Sequence, residues 1–345
     1  MNPELLAKRP RRFLREASTW FLFFLISAGL GYPALNRYDP RKQLPDAAIY
    51  AQLATAGPSA VESHLRFRVL VPFLARGVLR IFAGYTGTWD PLILSFLLVN
   101  ACFVATTAYL LLRVGTRLLD SRSVTLLGAA LYLLNFAIAN LHLAALVDSA
   151  EACLLMAIIA SMFYARWGLL PLWGILGTLA KESFVPFSIV MAISWWFASE
   201  QRRSRHVLIS TAAMVFAEIA TLVGLQSILS GHIVWPWNFA LSMNSPTNYG
   251  TNLAHSLSDR NSWYILLWLL PLGLAGIKRL PRPWLIAAGM GTFAAVILNA
   301  YHSTVGGGGG GIGRYIFDVA GPLLSLSAAA FLSDVNEFRP AAGLD

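Results

Sequence analysis

Long apolar runs recur along the chain, separated by short polar or basic segments, and one long stretch mixing acids, bases and apolar residues breaks the pattern. A bilayer core of about 30 Å takes about 20 helical residues. On that ruler, ten membrane spans are predicted at 17–36, 90–112, 123–141, 144–165, 168–180, 183–199, 207–229, 262–277, 284–301 and 315–333. The fifth and sixth are short: residues 167–199 read either as one kinked helix or as two short or re-entrant ones meeting at Lys181 and Glu182. Arg166 at one end and Arg202, Arg203 and Arg205 at the other place both ends in the cytoplasm by the positive-inside rule, so two short helices are predicted to meet on the outer side. The expected fold is an all-α, polytopic transmembrane bundle, a single integral membrane domain over 1–345.

The interruption runs from Tyr38 to Arg80, inside a predicted exterior loop at 37–89. Pro45 suits a helix start, and Asp46 falls in the first turn, where the helix dipole favours an anion. Helical spacing puts Asp46 on the face of Ile49, Tyr50 and Leu53, which directs its carboxylate toward protein. Over 69–82, Leu70, Leu74, Val78 and Ile81 share one face while Arg76 and Arg80 lie on the other. That is the pattern of an amphipathic helix in the membrane interface. Counting 69–83 as a further span would invert every later loop and bury two arginines at a cost of several kcal/mol.

Charge supports this layout. Sixteen of the 26 Lys and Arg residues fall on the predicted cytoplasmic side, in a basic N-terminus at 1–16, the clusters Arg113–Arg122, Arg202–Arg205 and Lys278–Arg282, Arg166, and a tail at 334–345. Both termini are expected in the cytoplasm and the protein in the cell membrane. Of the ten outside, seven (Arg37, Arg41, Lys42, Arg66, Arg68, Arg76 and Arg80) belong to the first exterior loop or its margin. They break the rule locally, which points to a task. The other exterior segments of note are 230–261, with WPWNF, and 301–314, where six consecutive glycines make a flexible connection.

At 57% hydrophobic and 12% charged residues, with a mean hydropathy of +0.60, no soluble core absorbs this much apolar surface. The net charge of +9 therefore speaks to loop placement rather than to nucleic acid. Cys102 and Cys153 lie in apolar runs and define no disulfide framework. The basic N-terminus precedes a run too long for a signal-peptide core, so a retained first helix is expected. The histidines lack metal-ligand spacing, and no nucleophile elbow, Walker loop or CxxC occurs.

Chemistry gathers on the predicted outer side, which holds Asp39, Asp46, Glu62, Asp148, Glu151, Lys181, Glu182, His302 and Arg314. Asp46 is the candidate general base, against the plainer role of a helix-start acid, and Asp39 is the second candidate, against turn chemistry before Pro40. Asp148 and Glu151, three apart in the first turns of a span, are either site residues or ion-pair partners of Lys181 or an arginine. Lys181 and Glu182 mark a helix break, where membrane proteins line cavities. Arg66, Arg68, Arg76 and Arg80 suit a phosphate or pyrophosphate headgroup, against general attraction to anionic lipids. Arg314 closes over the same phosphate or snorkels. Glu218, mid-helix in the seventh span, needs a partner that the sequence does not name.

Taken in order, PDAAIYAQLA, FRVLVPFLA, LVDSAE, LGTLAKESFVPF and GRYIFDVAGPLL resemble the GT-C superfamily of polytopic glycosyltransferases, in particular its bacterial and mannosyltransferase-like members. The resemblance implies transfer of a sugar from a polyprenyl-phosphate carrier to a glycan, lipid or protein acceptor outside the membrane. It implies a first-loop acid as general base, carried here by Asp46 or Asp39, and basic residues on the carrier phosphate, for which Arg66, Arg68, Lys181 and Arg314 are the nearest matches. Arg76, Arg80, Asp148, Glu151, Glu182, Tyr50 and His302 complete the expected substrate site. No metal ligand is assigned and no cofactor is certain, although the reaction leaves room for a divalent cation, Mg or Mn. Unlike better-known members, the protein is expected to have no soluble C-terminal domain, and its first loop lacks their paired acids. Two other classes stay open: a transporter or flippase for an amphiphilic or anionic substrate, and a non-catalytic membrane scaffold.

Overall fold

The computed structural model describes residues 3–84, 87–200, 204–235, 249–301 and 311–337. Among them every regular element is helical and none is a strand. The chain opens with α1 (Pro3–Leu30) and a short α2 (Pro33–Asn36), then the loop helices α3 (Pro40–Gln43), α4 (Pro45–Ala56) and α5 (Leu70–Phe82). The bundle continues through α6 (Pro91–Leu119), α7 (Arg122–Leu133), α8 (Asp148–Phe163), α9 (Leu170–Ala180), α10 (Phe184–Ala198) and α11 (Arg205–Ser230). It closes with α12 (Tyr249–Ser258), α13 (Arg260–Leu266), α14 (Leu269–Ala275), α15 (Arg282–Tyr301) and α16 (Gly311–Glu337). Five segments are long and apolar enough to cross a membrane: Leu14–Asn36, Pro91–Leu119, Arg205–Ser230, Arg282–Ala300 and Gly311–Val335.

The loop helices form as their residues dictate. Pro45 opens α4, and Gly57, at φ +92°, closes it in a backbone region that disfavours residues with a Cβ. Tyr50 and Leu53 are buried, on the face shared with Asp46. In α5, Val71, Pro72 and Ala75 pack inward while Phe73, Leu74 and Ile81 stay exposed. The loop helix thus keeps apolar side chains exposed, as the expected interfacial helix requires.

At the centre lies α8, in which every residue from Asp148 to Met162 is buried. A helix apolar on all sides belongs in a core, and α6, α9, α10 and α16 surround it. The expected span at 123–141 is interrupted. α7 stops at Leu133 because Asn135 turns its side chain on the backbone: Oδ1 accepts from Ala137 N at 2.9 Å and Nδ2 donates to the Ile265 carbonyl at 2.9 Å. A π-type turn at Ile138–His142 follows, and the next helix begins at Asp148 rather than at 144. Residues 167–199 are two short helices. Lys181 is extended between them, at φ −165° and ψ 137°, and α9 packs mainly on α11 while α10 packs mainly on α15. The expected span at 262–277 is likewise divided into α13 and α14.

Candidate functional site

Lys181 is extended at the break and Glu182 sits in the turn closed by Phe184 N on the Lys181 carbonyl, and their two side chains go to different partners. Lys181 Nζ donates to Asp148 Oδ1 at 2.6 Å and to Glu151 Oε2 at 2.5 Å. Asp148 and Glu151 occupy the first turn of α8, where backbone N–H groups and the helix dipole favour anions. Ser183 Oγ donates to Glu151 Oε1 at 2.6 Å. The lead-in to α8 is fixed by Asn100, which donates to the Leu146 carbonyl at 3.1 Å and accepts from Ser149 Oγ at 2.7 Å. From α16, Arg314 Nε lies 3.4 Å from Asp148 Oδ1. The Tyr315 ring covers both cations, 4.5 Å from Lys181 Nζ and 5.1 Å from the Arg314 guanidinium, geometry in which the ring quadrupole stabilises positive charge.

Glu182 faces the loop that carries α4 and α5. Arg68 donates to it in a two-pronged pair, Nε to Oε2 at 2.7 Å and Nη2 to Oε1. Arg68 Nη1 also donates to Tyr50 Oη at 2.6 Å. Burial pushes the Tyr50 phenol above its ordinary value, so it remains a neutral hydroxyl. The loop is therefore tied to the helix break through one buried arginine. Asp46, one turn before Tyr50 on α4, is half-buried, and no described residue hydrogen-bonds or ion-pairs with its carboxylate.

The expected residues divide in three. Asp148, Glu151, Lys181 and Arg314 form one cluster and Tyr50, Arg68 and Glu182 a second, the two joined through the Lys181–Glu182 peptide into one network, with Asp46 at its edge on the helix that carries Tyr50. Asp39 and the remaining arginines stand apart. Asp39 caps α3 and holds Arg41 at 2.9 Å, and Arg41 also reaches Asp90 at 2.7 Å. Asp90 in turn caps α6 through Leu92 N and Ile93 N, so Asp39 belongs to a latch between the loop and α6. Arg66 donates to Ser230 Oγ at 3.0 Å; Arg76 is half-buried beside Gly57 and Arg80 is exposed. His302 lies outside the described residues.

Two members were missed. His142 Nε2 lies 2.9 Å from Asp318 Oδ1, both fully buried. Asp318 follows Arg314 by four residues and so shares its helix face. An acid inside an apolar span was signal enough to name it. Pro322, four further on, cannot donate to the Asp318 carbonyl. Asp148, Glu151 and Asp318 each offer an oxygen within 4.8 Å of the others. This is not a fit for a divalent cation, because Lys181 Nζ already sits between two of the three and Arg314 beside one of them.

Glu218, on α11, is fully buried, and neither carboxylate oxygen has a hydrogen-bond partner among the described residues. It lies against Gly174 of α9, whose missing side chain makes the room: a Cβ there would come 2.9 Å from Glu218 Cγ.

Compared with protein-family models and with curated proteins, the chain finds no match.

Proposed function

We propose that the protein is a multi-pass membrane glycosyltransferase that moves a sugar from a polyprenyl-phosphate donor to an acceptor at the outer face, with about ten spans or re-entrant segments and both termini in the cytoplasm. The observation that carries this reading is the contrast within the site. Every other acid in the cluster is neutralised by a buried cation or a hydrogen bond, whereas Asp46, at the loop edge, has no hydrogen-bond or ion-pair partner for its carboxylate among the described residues. A carboxylate so placed can take the proton of an acceptor hydroxyl as its oxygen attacks the anomeric carbon. The bond from that carbon to the carrier phosphate breaks, and the phosphate departs with the electron pair. Arg314, beside Asp148 on the network, is the cation proposed to meet the departing oxygens; a fixed charge in a site poor in water stabilises developing charge strongly.

The test is Asp46→Asn in purified, reconstituted protein, read as radiolabelled sugar leaving a polyprenyl-phosphate donor. The expected loss is about 10²–10⁴-fold, the usual contribution of a positioned base, with thermal stability unchanged. A wild-type rate in the variant refutes the assignment.

A transporter for an amphiphilic or anionic substrate is the second reading, favoured by the unpartnered Glu218 and the buried His142–Asp318 pair. Intramembrane ionisable groups of this kind mark ion and proton paths in transporters. Uptake into sealed vesicles with no glycan product decides for it.

A further inference from the structure

α6 is 29 residues long, about 43 Å of helix, and its two ends do different things. At its start, Asp90 joins the latch of the exterior loop. At its end, with α1, the start of α7 and Tyr164 at the end of α8, it lines a half-open cleft of about 330 Å³ whose walls include Arg15, Arg113, Arg117 and Arg122, with Glu16 as the one acid among the described residues there. Four guanidinium groups against one carboxylate leave the cleft with a formal charge of +3.

Membrane anchoring alone does not account for this shape. Arginines that follow the positive-inside rule need only lie near the headgroups, whereas these converge from three helices on one concavity. Two of them are held in place. Arg113 lies 3.1 Å from Glu16 Oε2, donates to Tyr109 Oη at 3.1 Å and stacks on that ring at 5.9 Å. Tyr164 Oη donates to the Arg113 carbonyl at 2.8 Å, and Arg122 Nη2 reaches Thr19 Oγ1 at 3.3 Å. Arg15 and Arg117 are exposed, and neither guanidinium has a hydrogen bond or ion pair to a described residue, so their donors are available to a ligand. The volume falls at the lower end of the range for small-molecule sites, about 300–1,000 Å³, and the forked geometry of guanidinium matches phosphate oxygens.

The geometry points to a second binding site, at the end of the bundle opposite the exterior loop, that takes an anionic phosphate group: the headgroup of an acidic phospholipid or a free phosphate. It is independent of the transferase reading, because none of its residues belongs to the Lys181 network.

Full-length protein in a neutral detergent is titrated separately with dihexanoyl-phosphatidylglycerol, dihexanoyl-phosphatidylcholine and inorganic phosphate, and the unfolding temperature is followed. Saturable stabilisation by the anionic lipid and none by the zwitterionic one is expected. Stabilisation by inorganic phosphate as well makes free phosphate a ligand; its absence makes the lipid headgroup the source. The double variant R15Q/R117Q changes two exposed side chains and should weaken binding by about tenfold or more, while E16Q, which removes the opposing charge and frees Arg113, should tighten it. The site is refuted if neither anion binds saturably, if both lipids bind alike, or if R15Q/R117Q binds as wild type.

Discussion

Removing the Lys181 ammonium while Asp148 and Glu151 remain leaves two buried carboxylates with little compensation. The cost of breaking a buried ion pair on one side is about 3–5 kcal/mol, so Lys181→Met should fold poorly or lose much of its thermal stability in detergent. The triple variant K181M/D148N/E151Q removes all three charges together and should recover part of that loss. If K181M alone melts as wild type, the network is not the internal support described here. The same geometry makes a prediction about metal: with Lys181 Nζ at 2.6 and 2.5 Å from two of the three acids, treatment with a chelator should leave the unfolding temperature unchanged. A fall restored by Mg²⁺ or Mn²⁺ would show that a cation displaces Lys181. At this scale the sequence is readable for residues whose type is improbable in lipid, and Lys181, Glu182, Asp148 and Glu151 stand out on that ground alone. Their pairing does not, because nothing in one-dimensional spacing tells that Glu182 turns to Arg68, 114 positions away, while Lys181 turns to α8.

Among the elements, α16 depends on how closely it approaches α14. A Cβ added at Gly276 would stand 2.0 Å from the Ser327 carbonyl oxygen, so Gly276→Ala must displace the backbone of the helix that also carries Arg314, Tyr315 and Asp318. Ser327 Oγ donates to the Gly273 carbonyl at 2.6 Å, the close, small-residue contact by which membrane helices associate. Overpacking costs about 1–3 kcal/mol, and the expected readout is a lowered unfolding temperature; an unchanged one contradicts this packing. The latch at the loop makes a pH prediction. Hydrogen bonding from Arg41 holds the Asp39 carboxyl below its ordinary value, against the opposing effect of burial. A lowered folded-state value means that the stabilisation is fully present above the unfolded-state value of about 3.9 and is lost as pH falls through the folded-state one. Amide hydrogen exchange in residues 37–44, corrected for intrinsic rate, should therefore stay slow from neutral pH to about 4 and accelerate below it. In D39N it should be fast throughout; equal protection in both proteins refutes the latch. The helices at 45–56 and 70–82 are legible beforehand because Pro45 and the alternation of Leu70, Leu74 and Val78 with Arg76 and Arg80 act locally. The break after Leu133 is not, since it depends on Asn135 bonding to Ile265, 130 residues on. A run of apolar residues conceals such tertiary interruptions.

For the molecule as a whole, the two sites predict a polarity that labelling can test directly. The loop carrying Asp46 and the arginine cleft lie at opposite ends of α6, and the distribution of Lys and Arg predicts the loop outside and the cleft inside. Cys153 is buried and Cys102 only partly accessible, so native thiols contribute a low background to labelling by a bulky, membrane-impermeant maleimide. Ser59, beside α4, and Ser123, at the start of α7, are both exposed. In intact cells S59C should label and S123C should not, whereas after permeabilisation both should. The reverse pattern would put Asp46 in the cytoplasm, where the proposed transfer at the outer face has no acceptor, and would move the arginine cleft to the exterior. Labelling of both in intact cells would mean that the polypeptide between 59 and 123 does not cross the bilayer, although Pro91–Leu119 is among the segments most suited by length and composition to do so.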